Sequence, residues 1–260
     1  VFLARLVENA PLYFLITARI FAFLAVIPVF SSTAIPTLVR IGIAGCTAVV
    51  IFPTLLSYPL PSDGVGFFLV LVGEVLIGLI GGFFVYIIFS AFLLAGGFLS
   101  LPMGFSASQV FDPLGELEVP LVGQFFNTMA VYVFVVSDGL RRAFFVSTIN
   151  SFNSFRAADL AIVRDDVFQF LLRGFYDVFV YSLTLALPFL AVLFLTSISM
   201  GLLAKAAPQM NLLILGFPIS IGISYLLLFL FAGTLLSVFS NIFTVMIDQL
   251  GGLYQLRETG

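Results

Sequence analysis

Arg19, Glu74 and Lys205 are charged side chains set in or against long apolar runs. An ionised group that faces lipid alone costs several kcal/mol, so each must face protein, water or an opposite charge. Arg19 and Glu74 stand on different runs, and a pair between them within one helical bundle would relieve both. They are the candidate intramembrane charges. Other chemistry is sparse: no nucleotide-binding glycine loop, metal-ligand cluster or nucleophile constellation occurs. Gly104-Phe105-Ser106-Ala107-Ser108 lacks the closing glycine of a hydrolase elbow, and the chain contains no histidine to act as a base. The pattern points away from an enzyme and calls for no catalytic residue, metal or cofactor.

A second set of residues could act by obstruction. The stretch from Leu101 to Pro120, LPMGFSASQVFDPLGELEVP, lies between two long apolar blocks and is neither a clean membrane span nor an ordinary polar loop. Pro102 removes a backbone donor and Gly104 raises the entropy cost of helical order, so the preceding helix should be interrupted here. Met103, Phe105, Val110 and Phe111 follow, interleaved with Ser106, Ser108 and Gln109, then Asp112, Pro113, Glu116 and Glu118. Large apolar side chains on an irregular segment can pack across an opening and later move aside. The segment is a candidate plug, with a plain interhelical connector as the alternative.

These residues must be positioned by membrane helices. The chain has 62% hydrophobic and 9% charged residues, with a mean hydropathy of +1.23, far outside the range of a soluble domain. Apolar residues come in continuous runs and not in the alternation a membrane barrel needs, which leaves helices as the spanning elements. A net charge of −3 without a basic cluster argues against nucleic acid. The single cysteine, Cys46, excludes an internal disulfide and reads as a small buried apolar residue. Tryptophan is absent, so Tyr13, Tyr58, Tyr86, Tyr132, Tyr176, Tyr181 and Tyr225 are candidate interfacial anchors.

In order along the chain, Ala10 to Phe30 is long enough to cross a bilayer, and Arg19 within it argues for a retained span over a signal peptide. Ser31 to Pro36 reads as a turn, Leu38 to Leu56 as a second span, and Ser57 to Gly66 as an exposed turn. Phe67 to Leu99 is too long for one simple crossing: it turns back near Gly81 and Gly82 or is one long helix projecting beyond the bilayer. Gly73, Gly78, Gly82, Gly96 and Gly97 along it allow close approach of helix backbones. Leu121 to Val136 is another span. Arg141 to Arg173 holds five of the ten basic residues; within it Asp165 or Asp166 could cap an interfacial amphipathic helix bearing Phe168, Leu171, Leu172 and Phe175. Tyr176 to Leu203, kinked at Pro188, and Leu212 to Ile247 form a hairpin around the polar turn Ala204 to Asn211, followed by a polar tail from Asp248. Counting Phe67 to Leu99 as one crossing puts the arginine-rich loop on the side of both termini, cytoplasmic by the positive-inside rule; counting it as two moves the amino terminus across.

Two long motifs carry a resemblance. Gly104-Phe-Ser-Ala-Ser-Gln-Val-Phe111-Asp112-Pro113, and Gly201-Leu-Leu-Ala-Lys205-Ala-Ala-Pro208-Gln209-Met210-Asn211 followed by Gly216-Phe217-Pro218, resemble the FliR family, an export-gate component of bacterial flagellar type III secretion. Injectisome relatives of the SctT type share the pattern more loosely. Arg19 and Pro28, Pro36 with Arg40, Glu74 with Gly78 and Gly82, and Ser151-Phe152 fall in the same order as in that family, over about Pro11 to Gln249. The chain departs from it at Leu140, where a histidine is common, at Lys205, where arginine is common, and near Ala157, where a proline is usual.

The resemblance implies an all-α membrane protein of long kinked helices and helical hairpins, one subunit of a helical export-gate assembly. It implies a single domain over residues 1–260, with a FliP-like part over about 1–175 and a FliQ-like helical hairpin over about 176–250. The partners implied are FliP-like and FliQ-like subunits, an FlhB-like protein, basal-body ring and rod proteins, unfolded export substrates and membrane lipid. The place implied is the bacterial inner membrane at the flagellar basal body, with much of the bundle above the bilayer plane. The resemblance also assigns a plug within the conduit to the loop at 103–120, with Met103, Phe105, Val110, Phe111, Asp112 and Pro113 as its working residues. Lys205, Pro208, Gln209 and Asn211 at the hairpin tip are candidate contacts with the FlhB-like partner or a neighbouring hairpin. A small-solute secondary transporter and a plain membrane anchor are the competing functions; a transporter normally shows two related halves and a polar midplane site, and no internal repeat is seen here.

Overall fold

A computed structural model describes residues 2–32, 35–105, 120–154, 156–157, 160, 163–207, 209 and 212–255. It is an all-α membrane protein. Helices α1 (Phe2–Glu8), α2 (Ala10–Val26), α3 (Pro28–Ser31) and α4 (Thr37–Ile51) are followed by a 3-10 turn at Phe52–Leu55 and the long α5 (Gly64–Ser100). Then come α6 (Leu121–Val136), α7 (Gly139–Phe145), a π-turn at Val146–Asn150, α8 (Ser151–Ser154), α9 (Arg164–Ala206) and α10 (Leu212–Gln255).

Local chemistry explains most of the helix ends. The first apolar run does not stay helical to Phe30: Ile27 turns extended at ψ 130°, because the ring of Pro28 disfavours the helical conformation in the residue before it. α5 is one uninterrupted helix of 37 residues, so the chain does not turn back near Gly81 and Gly82. α10 also continues through Gly216, Pro218, Gly222 and Gly233, and runs past Asp248 to Gln255. The expected polar tail is helical up to that residue, because Leu250, Leu253 and Tyr254 recur at helical spacing and are buried. Asp165 and Asp166 lie inside the first turn of α9 and do not cap it; their negative charge there favours the helix N-terminus through its dipole.

Two compact units are formed. Unit 1 comprises Val1–Ile87, Asp138–Gly174 and Thr244–Gly260. In it α2 packs along α4; Leu12, Ile16 and Ile20 of the one and Ala44 and Ala48 of the other are buried, and the ring of Phe23 lies beside Gly81 of α5. Phe84 of α5 meets Phe170 of α9 with ring centroids 4.3 Å apart.

Unit 2 comprises Ile88–Ser137 and Phe175–Phe243. Its core is aromatic. Phe89 stands edge-on to Phe134 at 5.3 Å, Phe92 meets Phe239 at 4.5 Å, and Phe134 meets Phe243 at 4.9 Å. Phe189 of α9 lies 5.6 Å from Phe231 of α10, which joins the two long helices. α5 and α6 cross at Gly96 and Gly123, where a β-carbon on Gly96 would run into the backbone of Gly123. That contact replaces side-chain packing with direct backbone approach.

The crossing gives a matched pair of variants. Gly96→Ala should cost about 1–3 kcal/mol through overpacking, whereas Gly97→Ala, whose nearest neighbour would be Pro120 Cγ at 4.0 Å, should be neutral or stabilising through helix propensity. Thermal unfolding in mild detergent reads the difference, and equal midpoints for the two variants would remove the crossing from the account.

Candidate functional site

The described residues place the candidate side chains in three locations. The first is a buried polar cluster in unit 1. Arg19 of α2 and Glu74 of α5 are 1% and 0% exposed. Arg19 Nε donates to Glu74 Oε2 at 2.5 Å, and Arg19 Nη1 donates to Ser151 Oγ at 2.9 Å. The guanidinium carbon also sits 4.0 Å from the centroid of the Phe152 ring, a cation–π contact in a desolvated setting. The other carboxylate oxygen, Glu74 Oε1, accepts from the Tyr58 hydroxyl at 2.5 Å. Burial, followed by the charge of Glu74, holds the Tyr58 phenol well above the ordinary tyrosine value of 10.0, so it stays a donor throughout the physiological range.

The cluster requires thin helices around it. A β-carbon on Gly78 would run into the carbonyl oxygen of Arg19, and one on Gly73 would meet the Ala157 β-carbon at 2.6 Å. Ser151 Oγ in turn donates to the Ser147 carbonyl at 2.6 Å, tying the π-turn to the arginine. Tyr254, from the last turn of α10, is buried with its hydroxyl against Gly81 and facing Ser147.

The second location, in unit 2, is the start of the candidate plug. α5 ends in a double cap: Phe105 N–H donates to the Ser100 carbonyl at 3.1 Å and Gly104 N–H to the Leu101 carbonyl at 3.0 Å. Gly104 takes a φ of 84°, a conformation that glycine adopts without a side-chain penalty. Met103 is fully buried. The Phe105 ring stands edge-on to Tyr225 at 5.8 Å, beside an apolar cavity of about 460 Å³ walled by Leu121, Phe125, Leu228 and Phe229. Val110, Phe111, Asp112 and Pro113 lie outside the described residues.

The third location is the hairpin tip. Lys205 is exposed in the last turn of α9, within the helix and not in the turn beyond it, and Gln209 is exposed after it. Pro208 and Asn211 lie outside the described residues.

Comparison with known proteins places this geometry in a lineage. Residues 10–246 match the family described as "Bacterial export proteins, family 1". The flagellar biosynthetic protein FliR of Bacillus subtilis is 30% identical over 96% of this chain and 97% of its own length. The chain belongs to the FliR family. The FliR of Borreliella burgdorferi is 31% identical over 93% of this chain and 90% of its own, and that of Escherichia coli 28% over 93% and 94%. Among the described residues, four helices are long and apolar enough to cross a membrane, within Thr37–Leu55, Gly64–Ser100, Arg164–Ala206 and Leu215–Tyr254. This FliR-family chain is therefore a membrane-embedded component of the flagellar export apparatus.

Some residues do other work than their sequence context indicates. Tyr58, an expected interfacial anchor, turns inward to Glu74. Its position in a proline-containing turn carries no periodicity, so nothing in the local sequence signals the inward contact. Tyr13 donates to the Gly45 carbonyl at 3.3 Å. Cys46 is exposed and not buried, because the face of α4 that meets α2 is the one bearing Ala44 and Ala48.

Removing one member of the ion pair strands the other. Arg19→Leu or Glu74→Leu alone should each destabilise by about 3–5 kcal/mol, while the double variant should recover most of that loss. Thermal unfolding in detergent reads it, and additive losses in the double variant would mean that the two charges do not act as a pair. Tyr58→Phe should cost about 1–2 kcal/mol, as expected for a half-buried hydrogen bond to a charged group. Because folding raises the phenol's pKa, Tyr58 contributes fully below pH 10.0, and the contribution fades as the medium becomes more alkaline. Unfolding midpoints of wild type and Tyr58→Phe should stay apart by a constant amount from about pH 6 to 9 and begin to draw together only above pH 10.

Proposed function

We propose that this chain forms, with FliP-like and FliQ-like subunits, the conduit through which unfolded flagellar subunits leave the cell, and that its loop at 103–120 closes the resting conduit. The observation that carries this reading is a mismatch of lengths. At ~1.5 Å per residue the 37 residues of α5 extend ~55 Å, against a hydrocarbon core of ~30 Å. The one charged residue on α5, Glu74, is buried. α10 carries no charge from Leu212 to Ile247, yet Tyr225, Leu226, Phe229 and Leu230 are all exposed, Phe229 by 83%. A bilayer covers about half of such a helix, and the remaining apolar surface needs other protein against it.

The finer assignments follow from that reading. Residues up to about 175 act as a FliP-like part, and α9 with α10, over about 176–250, as a FliQ-like hairpin; the Phe189–Phe231 contact supports the hairpin. The complex lies in the bacterial inner membrane at the basal body, among ring and rod proteins. The exposed Lys205 and Gln209 meet the FlhB-like partner or a neighbouring hairpin. Apolar rings on the 103–120 loop hold back water and ions by dewetting until a substrate displaces them. The capped end of α5 and the fully buried Met103 give that loop a fixed root.

The test is to express the chain with its partners but without export substrates. Native mass spectrometry of the purified complex should show one copy of this chain with several copies of two smaller hydrophobic partners. Deleting Gly104 to Glu118 should leave that assembly intact and make the membranes leaky to small ions. A solute-binding monomer would overturn the conduit, and unchanged conductance would overturn the plug.

A further inference from the structure

We infer that Tyr225 of α10 is the residue that positions the first ring of the plug, Phe105; the inference rests on the plug reading above. Phe217, Ile221 and Tyr225 recur every four residues and so share one face of α10. That face meets the end of α5. A β-carbon on Gly104 would sit 3.3 Å from both Phe217 Cδ1 and Ile221 Cγ1, so the left-handed turn at Gly104 is made where α10 passes close by. With Met103 fully buried before the turn, the backbone enters the loop in a set direction. Phe105 then arrives at the next step of the same face.

The contact there is specific. The Phe105 and Tyr225 rings are 5.8 Å apart at 88°, so the positive edge of one ring meets the negative face of the other. Tyr225 is 60% exposed and its hydroxyl makes no hydrogen bond among the described residues, which leaves the ring as the part of this side chain in use. Below it Leu228 and Phe229 continue the apolar wall of the cavity beside Phe105. The arrangement holds the Phe105 ring against Tyr225 while leaving space at its side. A ring so held stays in place at rest and can be displaced without disturbing the core.

Ion leak through membranes carrying the assembled complex without substrate tests the inference. Tyr225→Ala should raise the leak rate by roughly three- to tenfold, the factor expected for loss of one aromatic pair. Tyr225→Phe, which keeps the ring, should restore the seal. Phe105→Ala should leak to the same degree, and combining it with Tyr225→Ala should add nothing. Tyr132→Ala, at an exposed tyrosine of the same unit, should stay tight. Should Tyr225→Ala lower the amount of assembled complex, Tyr225→Leu keeps the apolar bulk without the ring, and the same leak is expected. The Gly104 to Glu118 deletion sets the ceiling and separates the two claims. A leaky deletion with a tight Tyr225→Ala overturns the role of Tyr225 and leaves the plug standing, whereas a tight deletion removes the plug and this inference with it. Equal leaks from Tyr225→Phe and Tyr225→Ala would also overturn it.

Discussion

Taking a guanidinium and a carboxylate out of water costs several kcal/mol per ion, and unit 1 is arranged around offsetting that cost. Arg19 and Glu74 neutralise each other, Tyr58 and Ser151 supply further hydrogen bonds, and the Phe152 ring covers the guanidinium. The partners come from α2, the segment after the 3-10 turn, α5 and α8, so satisfying two charges holds together four parts of the chain that are distant in sequence. Gly78 belongs to the same constraint: α5 can present Glu74 to Arg19 only if the two helices nearly touch, and a methyl group at that position would strike the arginine's own carbonyl. The ion pair and the glycine are two statements of one requirement.

Unit 2 is held by different means. Its interior is a set of phenylalanine rings meeting at tilted and edge-on angles, with glycines where α5 and α6 cross. Such a core has well-defined ring geometry. The cap at Gly104, the buried Met103 and the tyrosine face of α10 are all built on it. The polar cluster in unit 1 fixes which segments associate, and the aromatic core in unit 2 presents a surface.

Much of this was legible in the sequence, for reasons that can be named. The apolar runs announced helices because a membrane leaves few other ways to satisfy a backbone, and Arg19 and Glu74 stood out because charges are rare and costly in such runs. Gly104 and Pro102 marked the end of α5 through backbone chemistry alone. Other features were hidden. Whether Phe67 to Leu99 was one helix or two depended on Gly81 and Gly82, and a glycine pair reads equally well as a bend or as a close-packing face until the neighbour is seen. Here Tyr254 and Phe23 fill the space beside them. Tyr58 lay in a stretch with no repeating pattern, and Asp248 looked like the start of a solvated tail because one charge outweighed Leu250, Leu253 and Tyr254 behind it. In each case the deciding neighbour sits far away along the chain, where local periodicity carries no information.

The position of Tyr254 has a consequence for how the protein is made. Its hydroxyl occupies the gap beside Gly81, between elements translated much earlier, and it comes from the final turn of the last described helix. The ribosome must therefore have polymerised nearly everything described here before the polar cluster's surroundings can be completed. Until then the space beside Gly81 waits for the last turn of α10.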